Sequence, residues 1–271
     1  MEVKILLRAS LAEEDELNIA SSYIHVIRDR ALIRKDDLIV PRYSLLPYPN
    51  ELERDCHILG GTLINTTRQH HYVADIEQWY YDFEDVTPKT WFRLDEIPRS
   101  LEHAFILKGA TNSRKHLWKT HMFASSVNDI SNVLNRLLDD PLISAQGICA
   151  REFEKFKSFD IPNVGSMPVT NEWRFFILDG QVLAYGFYWS EHVELLMEKS
   201  LLDLKDGQAA CEFVNSMIAP RLEDKIRFVV ADVAMHSDGR WRLVELNDGC
   251  MSGISCINMH ELYGQLYQRI T

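Results

Sequence analysis

The sequence predicts a mixed α/β (α+β) protein, an N-terminal α/β lobe followed by two further subdomains, and three observations carry that prediction. Strand and helix signals alternate over the first ~85 residues, as in a small α/β unit. Two later segments, each split by an Asp-Gly dipeptide, read as antiparallel hairpins. Between lobe and hairpins, a buried-strand pattern runs into a small polar loop and a group of basic residues. The boundaries that follow are 1–87 for the lobe, 88–147 for the subdomain with the polar loop, and 148–271 for the subdomain with both hairpins.

In chain order, residues 3–7 read as a strand, and Leu17, Ala20, Ile24 and Ile27 recur at helical spacing. Residues 38–40 read as a second strand. Asn50, with Glu53 three positions on, has the pattern of a capping box; Gly60-Gly61 ends that helix before a third strand at 62–65. Pro88 and Pro98 flank the connection to the next subdomain, where 104–107 is a buried strand and 109–113 a loop. Val127, Ile130, Val133, Leu134, Leu137 and Leu138 form one apolar helix face, stopped by Asp139-Asp140-Pro141. A strand at 148–153 precedes the hairpins, 173–189 turning at Asp179-Gly180 and 227–247 turning at Asp238-Gly239; 209–218 and 259–270 read as helices.

Composition removes several classes of function. With 29 Lys+Arg against 40 Asp+Glu, the net charge of −11 repels nucleic acid and anionic membrane at long range, so an anionic ligand needs a local basic pocket. The longest apolar stretches are broken by Lys108 and Asp232, well short of the ~20 residues of a membrane span. Glu2 and Lys4 flank an apolar run too brief for a signal peptide, which makes the cytoplasm the expected compartment. Cys56, Cys149, Cys211, Cys250 and Cys256 contain no Cys-x-x-Cys pair and read as free thiols.

The local basic pocket is visible in the charge order. From His103 to Asn128 there is no acidic residue, while Lys108, Arg114, Lys115 and Lys119 fall in that window. A solvated basic surface is one reading. The other is a phosphate cradle, in which loop N–H groups converge on an anion and lysine adds a point charge; the order of a P-loop is absent.

A tight turn at Asp238-Gly239 places Ser237 opposite Arg240, Asp232 opposite Glu245 and Val230 opposite Asn247. Asp232 then shares a face with Phe228, Val230 and Ala234, and Glu245 with Trp241, Leu243 and Asn247. Like charges directly opposite destabilise a sheet, so something must neutralise them. A hard divalent cation, Mg²⁺, held by Asp232, Glu245 and Asn247 is one answer; an ordinary carboxylate pair held by Arg227, Arg240 or Arg242 is the other. Under the metal reading, Asp232→Asn or Glu245→Gln is expected to spare the stability of the ligand-free protein and weaken metal-dependent nucleotide binding.

Phe105-Ile106-Leu107-Lys108-Gly109, the loop 111–115, Arg151-Glu152-Phe153, Glu172-x-Arg174 and Asp232…Glu245-x-Asn247 follow one another in an order that resembles the ATP-grasp superfamily, and most nearly its bacterial and phage clade named for two arginines and a lysine. The resemblance extends over nearly the whole chain, including 41–44 and 79–81. It implies an ATP-grasp fold whose two subdomains clasp ATP. Lys108 would reach the phosphates, with Gly109, Thr111, Ser113, Arg114 and Lys115 closing over them; the single glycine of this loop departs from glycine-rich relatives. Glu152 and Phe153 would line the hinge beside adenine. Arg174 would point to the γ-phosphate or an acyl phosphate, with an ion pair to Glu172 as its alternative. Arg151 would bind phosphate or substrate, or else pair with Glu152, Glu154 or Glu172. Asp232, Glu245 and Asn247 would hold Mg²⁺, and Lys89 is the candidate for a further upstream cation.

The activity so implied is ATP-dependent carboxylate–amine ligation through an acyl phosphate, yielding an amide, ADP and phosphate from small-molecule or peptide substrates. A nucleotide-binding assembly or regulatory protein of the same fold, and nucleotidyl transfer, are the alternatives. His70-His71 and His116…His121 lack the spacing of a helical zinc pair. Trp79-Tyr80-Tyr81 lies among acidic neighbours and reads as lobe packing rather than a base-stacking platform. Ser252-Gly253 falls where relatives carry an acceptor loop, and Cys250 beside it has no adjacent base in the sequence.

Overall fold

The computed structural model describes residues 2–7, 14–43, 49–111, 113, 117–163 and 167–271. In the N-terminal lobe, β1 (Val3–Leu6), β2 (His25–Ile27), β3 (Leu38–Pro41) and β4 (Thr62–Leu63) form a parallel sheet in the order β2-β1-β3-β4. β1 and β3 are buried along their length, as parallel strands covered on both faces are. The helix predicted through Ile27 ends at Ser21; Ile24 lies in the connection and Ile27 in β2, both buried. Their spacing therefore recorded burial by two different elements, not one helix face. The helix Pro49–Leu59 contains Asn50 in its first turn instead of capping on it, and Gly60 terminates it at φ +81°. The capping box stands one helix later, where Thr66 and Gln69 open Thr67–Ala74.

The second sheet is small and antiparallel. β5 (Thr90–Trp91), β6 (Phe105–Gly109), β7 (Phe123–Ala124) and β8 (Ile148–Glu152) are ordered β5-β8-β6-β7. The helix Ile130–Leu138 lays Ile130, Val133 and Leu137 over Phe105, Leu107 and Ala150, a core separate from the rest. β6 runs beyond the expected strand, so Lys108 and Gly109 are strand residues facing Cys149 and Ile148. β8 pairs within this sheet and not with the hairpins that follow it.

The third sheet joins β9 (Glu172–Leu178), β10 (Gln181–Phe187), β11 (Phe228–Met235) and β12 (Trp241–Asp248) in the order β10-β9-β11-β12. Asp179 and Gly180 are both left-handed, at φ +46° and +73°, as a type I′ turn requires. The second hairpin turns differently. Its loop is 237–239, His236 N–H donates to Arg240 O at 2.8 Å, and Gly239 sits at φ +91°; His236, not Ser237, faces Arg240. Farther along, Val233 pairs with Leu243 but Asp232 pairs with Glu245, leaving Val244 as a bulge. The longer loop and the bulge cancel, so Asp232 still opposes Glu245 and Val230 still opposes Asn247.

The bulge also moves Leu243 off the face of Glu245. Leu243 and Leu246 pack with Trp173, Phe175, Val229 and Val233 under the helical layer 204–222. The other face carries Phe176, Leu178, Phe228 and Val230, which share a core with Val3, Ile5 and the C-terminal helix Met259–Ile270 through Leu262, Tyr263 and Leu266. Burying each such side chain contributes about 1.5–3 kcal/mol, enough to fix the N-terminal lobe on half of this face. Farther along the same face, Glu172 and Glu245 border the cleft. Among the described residues no helix is long and apolar enough to cross a membrane.

Candidate active site

A cleft of about 370 Å³ opens between the second and third sheets. Ile106, Met122 and Phe153 form part of its wall on one side, Val244 and Trp189 on the other, and Lys108, Arg151, Glu172 and Glu245 also line it. Apolar walls with charged groups converging between them are the usual form of a small-molecule site, and Glu152, Glu154 and Lys155 add to the charged set here.

Lys108 projects from β6 and donates to Glu245 Oε1 at 2.7 Å, an ion pair that spans from the second sheet to the third. Arg151, on β8, is buried and has no carboxylate among its hydrogen-bond partners in the described residues. Its Nη1 donates to the carbonyl of the bulged Val244 at 2.7 Å and its Nη2 to Thr87 Oγ1 at 2.7 Å, while Thr87 Oγ1 donates to Leu243 O at 2.8 Å. Arg151 Nε is buried without a hydrogen-bond partner. Burial presses the Arg151 pKa below the ordinary arginine value, against the weaker pull of Cys149, Glu245 and Glu154. The predicted ion pairs to Glu152, Glu154 or Glu172 do not form. Glu154 is instead held by Arg242, at 2.9 Å from Nε and 2.8 Å from Nη2.

Arg174 lies on β9 directly opposite Asp232 on the adjacent β11. Its Nε and Nη2 fork onto the two Asp232 oxygens at 2.8 Å each, its Nη1 donates to Gly253 O at 3.0 Å, and its guanidinium carbon sits 4.7 Å from the Tyr188 ring centre. Burial opposes the Arg174 charge, yet the Asp232 carboxylate overrides it and holds the guanidinium pKa above the usual arginine range. Its ion-pair partner is Asp232 and not Glu172, the alternative the sequence offered. Neither Arg174 nor Asp232 lines the cleft.

One row of the sheet thus reads Arg174, Asp232, Glu245, with Lys108 arriving from the second sheet to complete it. Two carboxylates about 5 Å apart repel by about 3 kcal/mol at an effective dielectric of about 20. Here a cation against each carboxylate offsets that repulsion. Asn247 is half-buried on the same face, opposite Val230, and is not among the cleft-lining residues. Donor chemistry and face suit a hard cation, but both Asp232 oxygens are bound by Arg174 and Glu245 Oε1 is bound by Lys108. Among the described residues, no three or more acidic, histidine or cysteine side chains converge as a metal site would, so no further ligand of those types joins Asp232 and Glu245. The residues as arranged do not fit Mg²⁺.

The loop after β6 begins with a contact invisible in the sequence. Gln146 Oε1 accepts from Thr111 N at 2.7 Å and Thr111 Oγ1 at 2.8 Å, and a Cβ at Gly109 would collide with that same amide. Ser113 lines the cleft, whereas the predicted phosphate contacts Arg114 and Lys115 lie outside the described residues. Glu152 ends β8 and borders the cleft. Phe153 stacks on Trp118 at 6.1 Å between centroids and meets Phe123 edge-on at 5.2 Å, forming an aromatic wall in which Trp118 and Phe123 carried no sequence signal. The Lys89 ammonium sits 5.0 Å from the Trp91 ring centre and does not line the cleft. Burial, helped by Asp248, drives the Cys250 thiol well above its ordinary pKa, a state unsuited to a nucleophile. The loop containing Cys250 is instead anchored by Arg42, a fully buried side chain that donates to Gly249 O and Ser252 O and pairs with Glu16.

A small antiparallel sheet bearing a buried lysine, a larger sheet bearing acidic residues on the facing side, and a cleft between them beside an α/β lobe define the ATP-grasp class. Residues 97–269 match the ATP-grasp domain of the third family in the clade named for two arginines and a lysine, and the chain belongs to that family. Solved structures agree on the fold. The ATP-grasp ligase PsnB complexed with a minimal precursor superposes with TM-score 0.58 at 10% identity, covering 99% of each chain. D-cycloserine synthetase DcsG gives 0.57 at 11% identity over 99% of this chain and 100% of that one. D-alanyl-alanine synthetase A from Vibrio cholerae O1 biovar eltor str. N16961 gives 0.53 at 10% identity, covering 99% and 93%. No curated protein sequence matches the chain.

Proposed function

We propose that the protein is an ATP-dependent carboxylate–amine ligase, and the observation that carries this reading is Arg151: a buried guanidinium lining the cleft, hydrogen-bonded among the described residues to neutral oxygens only, with one N–H unmatched there. A polyphosphate supplies the anionic partner that this group lacks. The apolar wall of Ile106, Phe153 and Val244 suits a base, leaving the charged floor for the phosphates. Lys108 and Arg151 would then face the oxygens of the transferring γ-phosphoryl group, where positioned positive charge lowers the barrier and no protein nucleophile is required. The phosphoryl group passes to a substrate carboxylate, ADP leaves, an amine attacks the acyl carbon, and phosphate departs as the amide forms. PsnB, whose structures hold a precursor peptide, makes a peptide carboxylate or amine a reasonable acceptor class to try first.

A second reading, a nucleotide-binding assembly or regulatory protein that ligates nothing, is favoured by the internal pairing of Asp232 and Glu245. Turnover separates the two. The protein is incubated with ATP, Mg²⁺ and pools of amino acids and peptides. Substrate-dependent ADP and phosphate are expected for a ligase. ATP binding without turnover selects the second reading, and AMP or pyrophosphate selects nucleotidyl transfer instead.

A further inference from the structure

Asp232 and Glu245 are register partners, yet each is bound to a cation of its own, and the two ion pairs differ in kind. The Asp232 pair is sealed: the carboxylate has no solvent exposure, the guanidinium grips both oxygens, and Gly253 O and the Tyr188 ring occupy the rest of Arg174. The Glu245 pair borders the cleft and joins two sheets. From this arrangement we infer that Asp232 is a seat for Arg174 and Glu245 a seat for Lys108, so that a polyphosphate enters by taking Lys108 from Glu245. The inference rests on the cleft being a nucleotide site, as proposed above. Its physical content is competition: the Glu245 carboxylate is an anion already delivered to Lys108, at 2.7 Å, and any phosphate that uses Lys108 must displace it. Removing the charge of Glu245 while keeping its shape therefore strengthens the binding of a free polyphosphate. A metal site makes the opposite prediction in Mg²⁺, where losing the Glu245 carboxylate would weaken ATP binding.

The test is calorimetric titration of the full chain with ATP, in EDTA and again in Mg²⁺, for the unaltered protein, Glu245→Gln, and Glu223→Gln as an exposed acidic control on the helical layer of the same sheet. In EDTA, Glu245→Gln is expected to tighten ATP about tenfold and Glu223→Gln to leave it unchanged. Glu245→Gln is expected to tighten ATP in Mg²⁺ as well; unchanged or weaker binding by Glu245→Gln in EDTA or weaker binding in Mg²⁺ overturns the inference, and so does equal tightening by both variants, which would mark a long-range field effect. If ATP binds the unaltered protein and Glu245→Gln does not tighten it, this inference fails and the nucleotide reading survives; if no protein binds ATP in either buffer, both fail. Glu245→Ser, in the same titration, carries the test should the amide variant not fold.

Discussion

Arg151 on the second sheet is buried and Arg174 on the third nearly so, and the two are held in opposite ways. Arg174 has a carboxylate fork, a backbone carbonyl and an aromatic ring. Arg151 has a bulge carbonyl, a threonine hydroxyl and one unmatched N–H. Their pKa values move accordingly, up for Arg174 under Asp232 and down for Arg151 under burial. The difference teaches that a buried cation in an active-site sheet can be either finished by the fold or left for a ligand to finish. On the proposed reading, only the second kind is a recognition element. The saturated one fixes strands β9 and β11 and the 249–253 loop.

The most severe way to break the comparison is Asp232→Asn. It leaves the Arg174 charge buried without its counterion and is expected to destabilise the ligand-free protein by about 3 kcal/mol, a fall in Tm of roughly 6–12 °C. This reverses the expectation, drawn from the register alone, that relieving opposed carboxylates spares stability. A Tm within 1–2 °C of the unaltered protein, on the order of what ~0.5 kcal/mol produces, would mean that Arg174 does not depend on Asp232. Arg151→Met should do the converse. A buried guanidinium without a carboxylate contributes little net stability, so unfolding in urea should shift by less than about 1 kcal/mol. ATP affinity should fall about 100-fold, as losing charge-assisted phosphate contacts implies. Similar stability losses for both arginine sites would erase the distinction between them.

A smaller effect sharpens the role of the second sheet. Gly109→Ala places a methyl group where the Gln146 amide rests, forcing it off Thr111 N and Oγ1. The expected loss is about 1 kcal/mol, similar to that of Gln146→Ala, since both release the same hydrogen bonds. The double variant should be no less stable than either single one, a non-additivity that urea unfolding of the full cycle measures. Additive losses would show that Gly109 and Gln146 act separately.

These contacts mark where the sequence stopped being readable. Apolar spacing located the helix at 259–270, and the Asp-Gly turns located both hairpins, because such signals are local. The register of Asp232 against Glu245 came out right through two offsets that cancel, a loop at 237–239 and a bulge at Val244. Neither is local: the bulge carbonyl is held by Arg151 from another sheet, and Thr87 holds the carbonyl beside it. Without the bulge, Glu245 would fall on the opposite face, buried under the helical layer. The partner of Arg174 was hidden for a related reason. Each hairpin announces its own pairing, but nothing in the chain announces that β9 lies beside β11, the adjacency that places Arg174 opposite Asp232. Lys108 was legible as a phosphate-loop cation because strand, loop and charge order sit together in the sequence, whereas Arg151 was marked only by the family resemblance, with an ion pair as its alternative. Gln146, Thr87 and Trp118 reach the site from connecting segments and carried no pattern.

The smallest expected effect contrasts these buried pairs with an exposed one. Arg221, at the end of the helical layer, donates to the Asp85 carboxylate at 2.6 and 2.8 Å, and its Nη1 also reaches Asp82 O at 3.0 Å, tying the segment before β5 to the third sheet's covering helices. The Arg221 hydrogen bond holds the Asp85 carboxyl below the usual aspartate range. A depressed folded-state pKa means that the ionised form is favoured by folding. The pair's stabilisation is therefore present above the unfolded pKa of about 3.9 and is lost as pH falls through the lower folded value. Both groups are substantially in contact with water, and solvent screening keeps the pair to no more than about 0.5 kcal/mol. Asp85→Asn should thus lower stability by that small amount at pH 7, converge with the unaltered protein near pH ~2–3, and lose its effect in ~1 M salt. An Asp85→Asn loss as large as that of Asp232→Asn, or one that grows as the pH falls, would show that exposure does not separate the two kinds of ion pair in this molecule.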